Sequence, residues 1–202
     1  MEAFESFVTL ALEAEGLVVS EAVKFPVTRQ TAKVSHVETQ THGFEVDLVA
    51  ASAKRLVLAT VKSFLGSRGV AAEHVIGEAE PRASKRYAML NNPVVRDAVL
   101  EGASRRYGYS PDQIEFRLYV GRFAGEKTGS HESRIRAWCG AQAIGAGSVR
   151  VFGLQEVARA ARRVALSPTY RDNPALVAIK VLEAAHMLTP LPPSEASEEQ
   201  VY

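Results

Sequence analysis

The spacing of hydrophobic residues at the start of the chain predicts a helix followed by a strand. Residues 2–15 place apolar side chains at helical intervals, and Gly16 follows where a helix commonly ends. The valine-rich stretch 17–27 favours a first strand that stops near Pro26. A further strand is predicted over 33–40 from a mixed polar pattern. We therefore expect the chain to begin with a helix and then enter a sheet.

Two alternating stretches separated by a short polar turn predict a β-hairpin. Its strands are expected over residues 44–50 and 56–64, and residues 51–54 supply the turn. Residues 66–69, which include two glycines, close the second strand with a loop. The hairpin is the clearest strand pair that the sequence predicts.

Helical and strand patterns alternate through the rest of the chain. Pro93 fits a first helical turn, and Gly108 suits the end of the same helix. In the strand over 114–123, apolar residues alternate with Glu115, Arg117 and Tyr119, so this strand is predicted to be half-buried. We predict helices over residues 93–106, 132–142, 154–166 and 174–187 and strands over 114–123 and 148–152, while 71–80 remain unassigned. This order predicts an α/β fold, a mixed sheet with helices on its faces.

The composition narrows the class of protein. The chain has 202 residues, of which 47% are hydrophobic and 23% charged. We expect one domain over residues 1–189 and a flexible tail over 190–202. No apolar run reaches the roughly 18 residues that a membrane-spanning helix needs, so we predict a cytoplasmic protein with no membrane partner. A single cysteine, Cys139, excludes an internal disulfide and a cysteine-rich zinc site, and we expect a buried, inert thiol.

The net charge of +1 says little, but the distribution of arginines suggests phosphate contacts. Arg134 and Arg136 concentrate positive charge in the C-terminal half, and Arg68 lies in the loop after the hairpin. These three are the candidate nucleic-acid-binding residues. The competing interpretations are a solvated helix face for Arg134 and Arg136 and a plain turn for Arg68.

The chemically informative residues lie on the hairpin. Side chains two residues apart share a face of a strand, so Glu45 and Asp47 are expected together, as are Thr60 and Lys62 on the partner strand. An acid pair beside a lysine can bind Mg²⁺ and stabilise the charge that develops in phosphodiester hydrolysis. The alternative is that Glu45 and Asp47 form the polar face of an amphipathic strand.

Three segments resemble one enzyme superfamily. They are Phe4-Glu5 at the start of the first helix, the run Gly-Phe-Glu-Val-Asp-Leu-Val over 43–49, and Val61-Lys62-Ser63. Together they resemble the PD-(D/E)XK nucleases, which have the restriction-endonuclease-like fold. The resemblance implies Glu5 as the helix glutamate, Asp47 as the aspartate that binds Mg²⁺ or Mn²⁺, and Lys62 as the catalytic lysine. It also implies a nucleic-acid partner, with DNA the first expectation.

One position departs from the pattern of that superfamily. The acid expected two residues before Lys62 is Thr60, whose hydroxyl is a poorer ligand for Mg²⁺ than a carboxylate. Either Glu45 substitutes as the second metal ligand, or the metal site has been lost. The two hypotheses are thus a metal-dependent nuclease of DNA repair, recombination or defence, and a catalytically inactive module that binds DNA or a protein partner. The oligomeric state, including a homo-oligomer, stays open.

Overall fold

The structure, a computed structural model, describes residues 3–30, 39–125, 130–168 and 173–189. Most of the predicted strand over 33–40 and the predicted tail over 190–202 lie outside the described residues. Within the described part, no helix has both the length and the apolar character needed to cross a membrane.

The N-terminal third forms a helix and an antiparallel meander. Helix α1 spans Ala3–Ala14, and strands β1, β2 and β3 span Val18–Gln30, Thr39–Ala51 and Leu56–Lys62. β1 pairs with β2 and β2 with β3, both antiparallel. The predicted first helix and hairpin are confirmed, because the apolar periods of 3.6 and 2 residues that define them are local properties of the sequence.

Two parallel strands complete the sheet. β4 (Ile114–Val120) pairs with β3, and β5 (Arg150–Gly153) pairs with β4, which gives the order β1-β2-β3-β4-β5. The sheet therefore has five strands within the described residues. It is mixed and flanked by helices, as the sequence predicted.

The connections between strands are helical. Four α-helices and two 3₁₀ helices lie between β3 and β4. The α-helices are α2 (Ala72–Ile76), α3 (Pro81–Ser84), α4 (Ala88–Asn91) and α5 (Pro93–Tyr107), and the 3₁₀ helices span Lys85–Tyr87 and Pro111–Gln113. Further along the described residues come α6 (Ser130–Ala141), α7 (Leu154–Leu166) and α8 (Pro174–Ala184). The Asn92 side chain accepts a hydrogen bond from the Val95 amide at the start of α5, and Gly108 ends that helix with φ 78°.

Hydrophobic residues cover both faces of the sheet. One face packs on α5 and α6 and includes Leu56 and Leu58. The thiol of Cys139, on α6, lies in the same hydrophobic cluster, and burial raises its pKa to about 12. The other face packs on α1 and α7 and includes Val57 and Ala59. β3 is therefore the central strand and is covered on both faces. Its last residues lie where the strand leaves the sheet.

Candidate functional site

Asp47 and Lys62 form an ion pair where β2 and β3 separate. The β2–β3 ladder ends at the Leu48–Ala59 pair, so Asp47 lies just beyond its last rung. The Lys62 Nζ and Val61 amide nitrogens donate to Asp47 Oδ2 at 3.0 Å and 2.7 Å. Their side chains keep 22% (Asp47) and 17% (Lys62) of their exposure. The Asp47 carboxylate and the Lys62 ammonium thus lie in contact at a solvent-accessible site, as predicted.

A kink in the β1–β2 pair turns Asp47 away from the regular sheet. Val46 and Leu48 lie two residues apart, yet they pack into the hydrophobic clusters on opposite faces. Their partners on β1 are Val23 and Glu21, and Ala22 between them has a left-handed φ of 51°. Such a conformation costs about 1–2 kcal/mol for a residue with a Cβ. Strain of this kind concentrates at functional sites, where the surrounding structure must maintain it.

The backbone around Lys62 is held by the end of β4. The Gly121 amide donates to Lys62 O at 2.9 Å, and a Cβ built on Gly121 would lie 2.3 Å from Ser63 O. Only glycine permits this close approach. Two residues after Lys62, Phe64 has a left-handed φ of 44°. The chain therefore leaves β3 earlier than the predicted strand end at 64, because Phe64 breaks the extended conformation.

A cleft of about 450 Å³ opens over the ion pair. The first turn of α1 brings Glu5 to this cleft, so Glu5, Asp47 and Lys62 line one cavity. The lining is completed by Val61, Ser63, Phe64 and Ser67. The three predicted catalytic residues are thus brought together from a helix and two strands.

Glu45 and Thr60 are not brought into the cleft. The Glu45 carboxylate is 51% exposed and lies 3.7 Å from Lys24 Nζ on β1. Thr60 is buried, with 6% of its surface exposed. Among the described residues no group of three or more His, Cys, Asp or Glu side chains is arranged to hold a metal ion. The carboxylates that line the cleft are those of Glu5 and Asp47.

The three predicted phosphate-contacting arginines have different surroundings. Arg68 is exposed and lines a groove that adjoins the cleft. Arg134 pairs with Glu78 at 3.2 Å. Arg136 donates to the Glu132 and Glu156 carboxylates and to Val151 O. Burial would lower the pKa of Arg136, but its hydrogen bonds to both carboxylates outweigh that effect and raise it.

The sequence pattern missed a buried charge network on β4. Arg117 was expected on a polar face, yet its side chain is 0% exposed and Tyr119 is also buried. The Arg117 guanidinium donates to the Glu15 and Glu115 carboxylates at 2.7–3.0 Å and to the Tyr119 hydroxyl at 3.2 Å. Arg55 donates to the same two carboxylates. We call these five residues the Arg117 network.

The half-buried prediction for β4 was therefore wrong, because the strand has neighbours on both sides and helices on both faces. Strands with parallel neighbours are commonly buried on both faces, and this rule was the available signal. Burial alone would raise the pKa of Glu115, but Arg117, Arg55 and Arg150 lower it below its usual value. Burial also raises the pKa of the Tyr119 hydroxyl.

A larger cavity of about 590 Å³ lies between α1 and α7, at the end of α1 away from Glu5. Its lining includes Glu15 and Glu156, which already pair with Arg117 and Arg136. The rest of the lining is mostly apolar. The cleft over Asp47 is the better candidate for chemistry, since the charged side chains of Glu5, Asp47 and Lys62 line the same cavity.

No protein-family model matches the chain, and it has no significant match among curated proteins or solved structures. The function is therefore inferred from the chemistry of the cleft.

Proposed function

We propose that the chain is a metal-dependent nuclease with a restriction-endonuclease-like fold, and that it hydrolyses phosphodiester bonds of nucleic acid, DNA first among them. The observation that carries the proposal is that Glu5, Asp47 and Lys62 line one cleft, with the Asp47–Lys62 ion pair at 3.0 Å. The order of a helix, three antiparallel strands, helices and a parallel strand agrees with that fold. Action in the cytoplasm, in DNA repair, recombination or defence, is part of the same proposal.

The donor set of the cleft suits Mg²⁺ or Mn²⁺. Magnesium sites commonly use one or two carboxylates and complete the shell with water and substrate oxygens. Glu5 and Asp47 would supply these carboxylates, and the hydrogen bonds that Asp47 accepts from Val61 and Lys62 both engage Oδ2 rather than Oδ1. A bound ion supplies Lewis acidity toward the phosphoryl group and a more acidic water molecule.

Lys62 would stabilise negative charge that develops on the phosphate. Its ammonium group has three donors, and the bond to Asp47 Oδ2 fixes the position of the group. The Val61 amide donates a hydrogen bond to Asp47 Oδ2 and so fixes the carboxylate. The fixed carboxylate can then orient the Lys62 ammonium group. The cleft therefore combines an anchored acid, a positioned cation and a second carboxylate.

The decisive experiment measures Mn²⁺ binding and the cleavage of labelled DNA by the purified protein. We expect Asp47→Asn to abolish both, because it removes an anionic ligand and preserves the size of the side chain. Lys62→Met should slow cleavage about 10²- to 10³-fold and leave Mn²⁺ bound. Asp97→Asn, which removes an exposed carboxylate on α5, is the matched control and should change neither measurement.

Two outcomes would redirect the proposal. If Glu45→Gln also abolishes Mn²⁺ binding, the Glu45 side chain must move into the cleft when metal binds, and the second ligand is Glu45. If wild-type protein binds no Mn²⁺ at millimolar concentration and cleaves nothing, the enzymatic proposal fails. The catalytically inactive binding module would then be the remaining hypothesis.

A further inference from the structure

A second depression of about 400 Å³ adjoins the cleft and is lined by arginines. Arg68 comes from the loop after β3, Arg82 from α3, and Arg86 from the 3₁₀ helix Lys85–Tyr87 that follows α3. Phe64 and Ser67 line both this depression and the cleft over Asp47. We call the depression, defined by these five residues, the arginine groove. The two cavities therefore meet along a shared wall.

The arginines of the groove are available to a ligand. All three side chains are exposed, and within the described residues none of them forms an ion pair with a carboxylate, although Glu80 also lines the groove. Arg134 and Arg136, in contrast, are paired with acids. The N–H donors of a guanidinium group match the geometry of phosphate oxygens. Exposed arginines without carboxylate partners therefore have donors available for a phosphate.

An aromatic ring stands at the junction of groove and cleft. Phe64 is half-buried, its backbone is held in the left-handed conformation, and the Arg86 guanidinium lies over the ring, 6.0 Å from its centre. A ring beside a cationic groove is the arrangement that binds single-stranded nucleic acid, since an unpaired base can stack on the ring. Bases inside a duplex are already stacked on their neighbours and have no free face to offer.

We propose that the arginine groove binds a single-stranded segment of nucleic acid, with phosphates on Arg68, Arg82 and Arg86 and a base stacked on Phe64. The direction of the segment toward Asp47 and Lys62 rests on the proposed nuclease function. Binding in the groove does not rest on that function, because it uses three guanidinium groups and a ring and none of the carboxylates that are proposed to bind metal. The substrate class that follows is a single strand, or a duplex with a single-stranded end.

The test is the anisotropy of a fluorescent single-stranded oligonucleotide, titrated with protein in EDTA and compared with a duplex of the same sequence. We expect tighter binding of the single strand and an affinity that falls steeply with salt. The double variant Arg82→Gln/Arg86→Gln should lower the slope of log affinity against log salt by about 1.4, at about 0.7 for each lost phosphate contact. Phe64→Leu should weaken binding about 5- to 100-fold with an unchanged slope, because it removes stacking and no charge.

Arg105→Gln is the matched control, since Arg105 is an exposed arginine paired with Glu101 on α5. Equal or tighter binding of the duplex, or Phe64→Leu binding like the wild type, would overturn the single-strand assignment. A double variant that behaves like Arg105→Gln would overturn the groove itself. Binding of the oligonucleotide without any Mn²⁺-dependent cleavage would support the arginine groove and contradict the nuclease proposal. Mn²⁺-dependent cleavage that the double variant leaves unchanged would support the nuclease proposal and contradict the groove.

Discussion

The sheet carries two clusters of charge that differ in how completely their hydrogen bonds are used. In the Arg117 network the fully buried guanidinium donates to two carboxylates and a hydroxyl, and Arg55 contacts the same carboxylates. In the cleft, Asp47 and Lys62 share one bond and remain partly exposed. All five N–H donors of Arg117 are used, so its guanidinium has none left for a ligand. Within the described residues, Lys62 uses one of its three donors on Asp47 and can still bind a ligand, which separates the candidate site from the structural cluster.

The largest expected effect is the loss of stability when the buried arginine is removed. Arg117→Met leaves Glu15 and Glu115 without their main cation, and breaking a buried ion network in this way costs about 3–5 kcal/mol. Asp47→Asn should cost no more than about 1 kcal/mol, since its partner is partly exposed and the amide oxygen can still accept from Val61. Urea unfolding of both variants measures the difference. Equal losses would show that the two clusters have the same structural role.

The next effect concerns the close packing of Gly121, at the end of β4, against the backbone of Lys62 and Ser63. Gly121→Ala places a Cβ against Ser63 O, so we expect a loss of about 2–3 kcal/mol in the free energy of unfolding. Gly140→Ala is the control, because Gly140 is an exposed residue of α6 with open space around a Cβ, and alanine there should add about 0.5–1 kcal/mol. Thermal unfolding of both variants decides. If Gly121→Ala is as stable as the wild type, the ends of β3 and β4 are not locked together.

A smaller effect is the acid dependence of stability. Burial would raise the pKa of Glu115 in the folded state, but Arg117 and the neighbouring arginines outweigh it and lower the pKa below the unfolded value. That contribution is present above the unfolded pKa, about 4.3, and is lost as the pH falls through the folded pKa. We therefore expect stability to decline below about pH 4.3 and the decline to be shallower in Arg117→Met. Urea unfolding over this pH range tests it, and identical slopes in the two proteins would contradict it.

The smallest effect is the release of strain opposite Asp47. Ala22→Gly removes the penalty of a left-handed φ and adds flexibility to the unfolded chain, which leaves a net gain of about 0.5–1 kcal/mol. Ala98→Gly, in α5, should instead cost about 1 kcal/mol. Differential scanning calorimetry resolves the opposite signs. A loss in both variants would show that the kink at Ala22 is unstrained.

Local periodicity and capping determined most of the secondary structure of this protein. Helix α7 covers the predicted residues 154–166, and α5 begins at Pro93 after an asparagine cap and ends before Gly108. These features depend only on neighbours along the chain, so the sequence displays them directly. The short helices over 72–91 are less than two turns each, too few residues to display a period. That is why residues 71–80 could not be assigned.

The candidate site was predictable as a set of residues, but its arrangement depended on contacts between distant segments. Alternation and the resemblance marked Glu5, Asp47 and Lys62, whereas the kink that separates Val46 from Leu48 left Glu45 beside Lys24, outside the cleft. The burial of Arg117 likewise required Glu15, 102 positions away, to reach it. The sequence by itself thus determined which side chains carry charge and where helices and strands run. Only the tertiary structure decided which charges neutralise one another and which face solvent, because that depends on the register and packing of elements far apart in the chain.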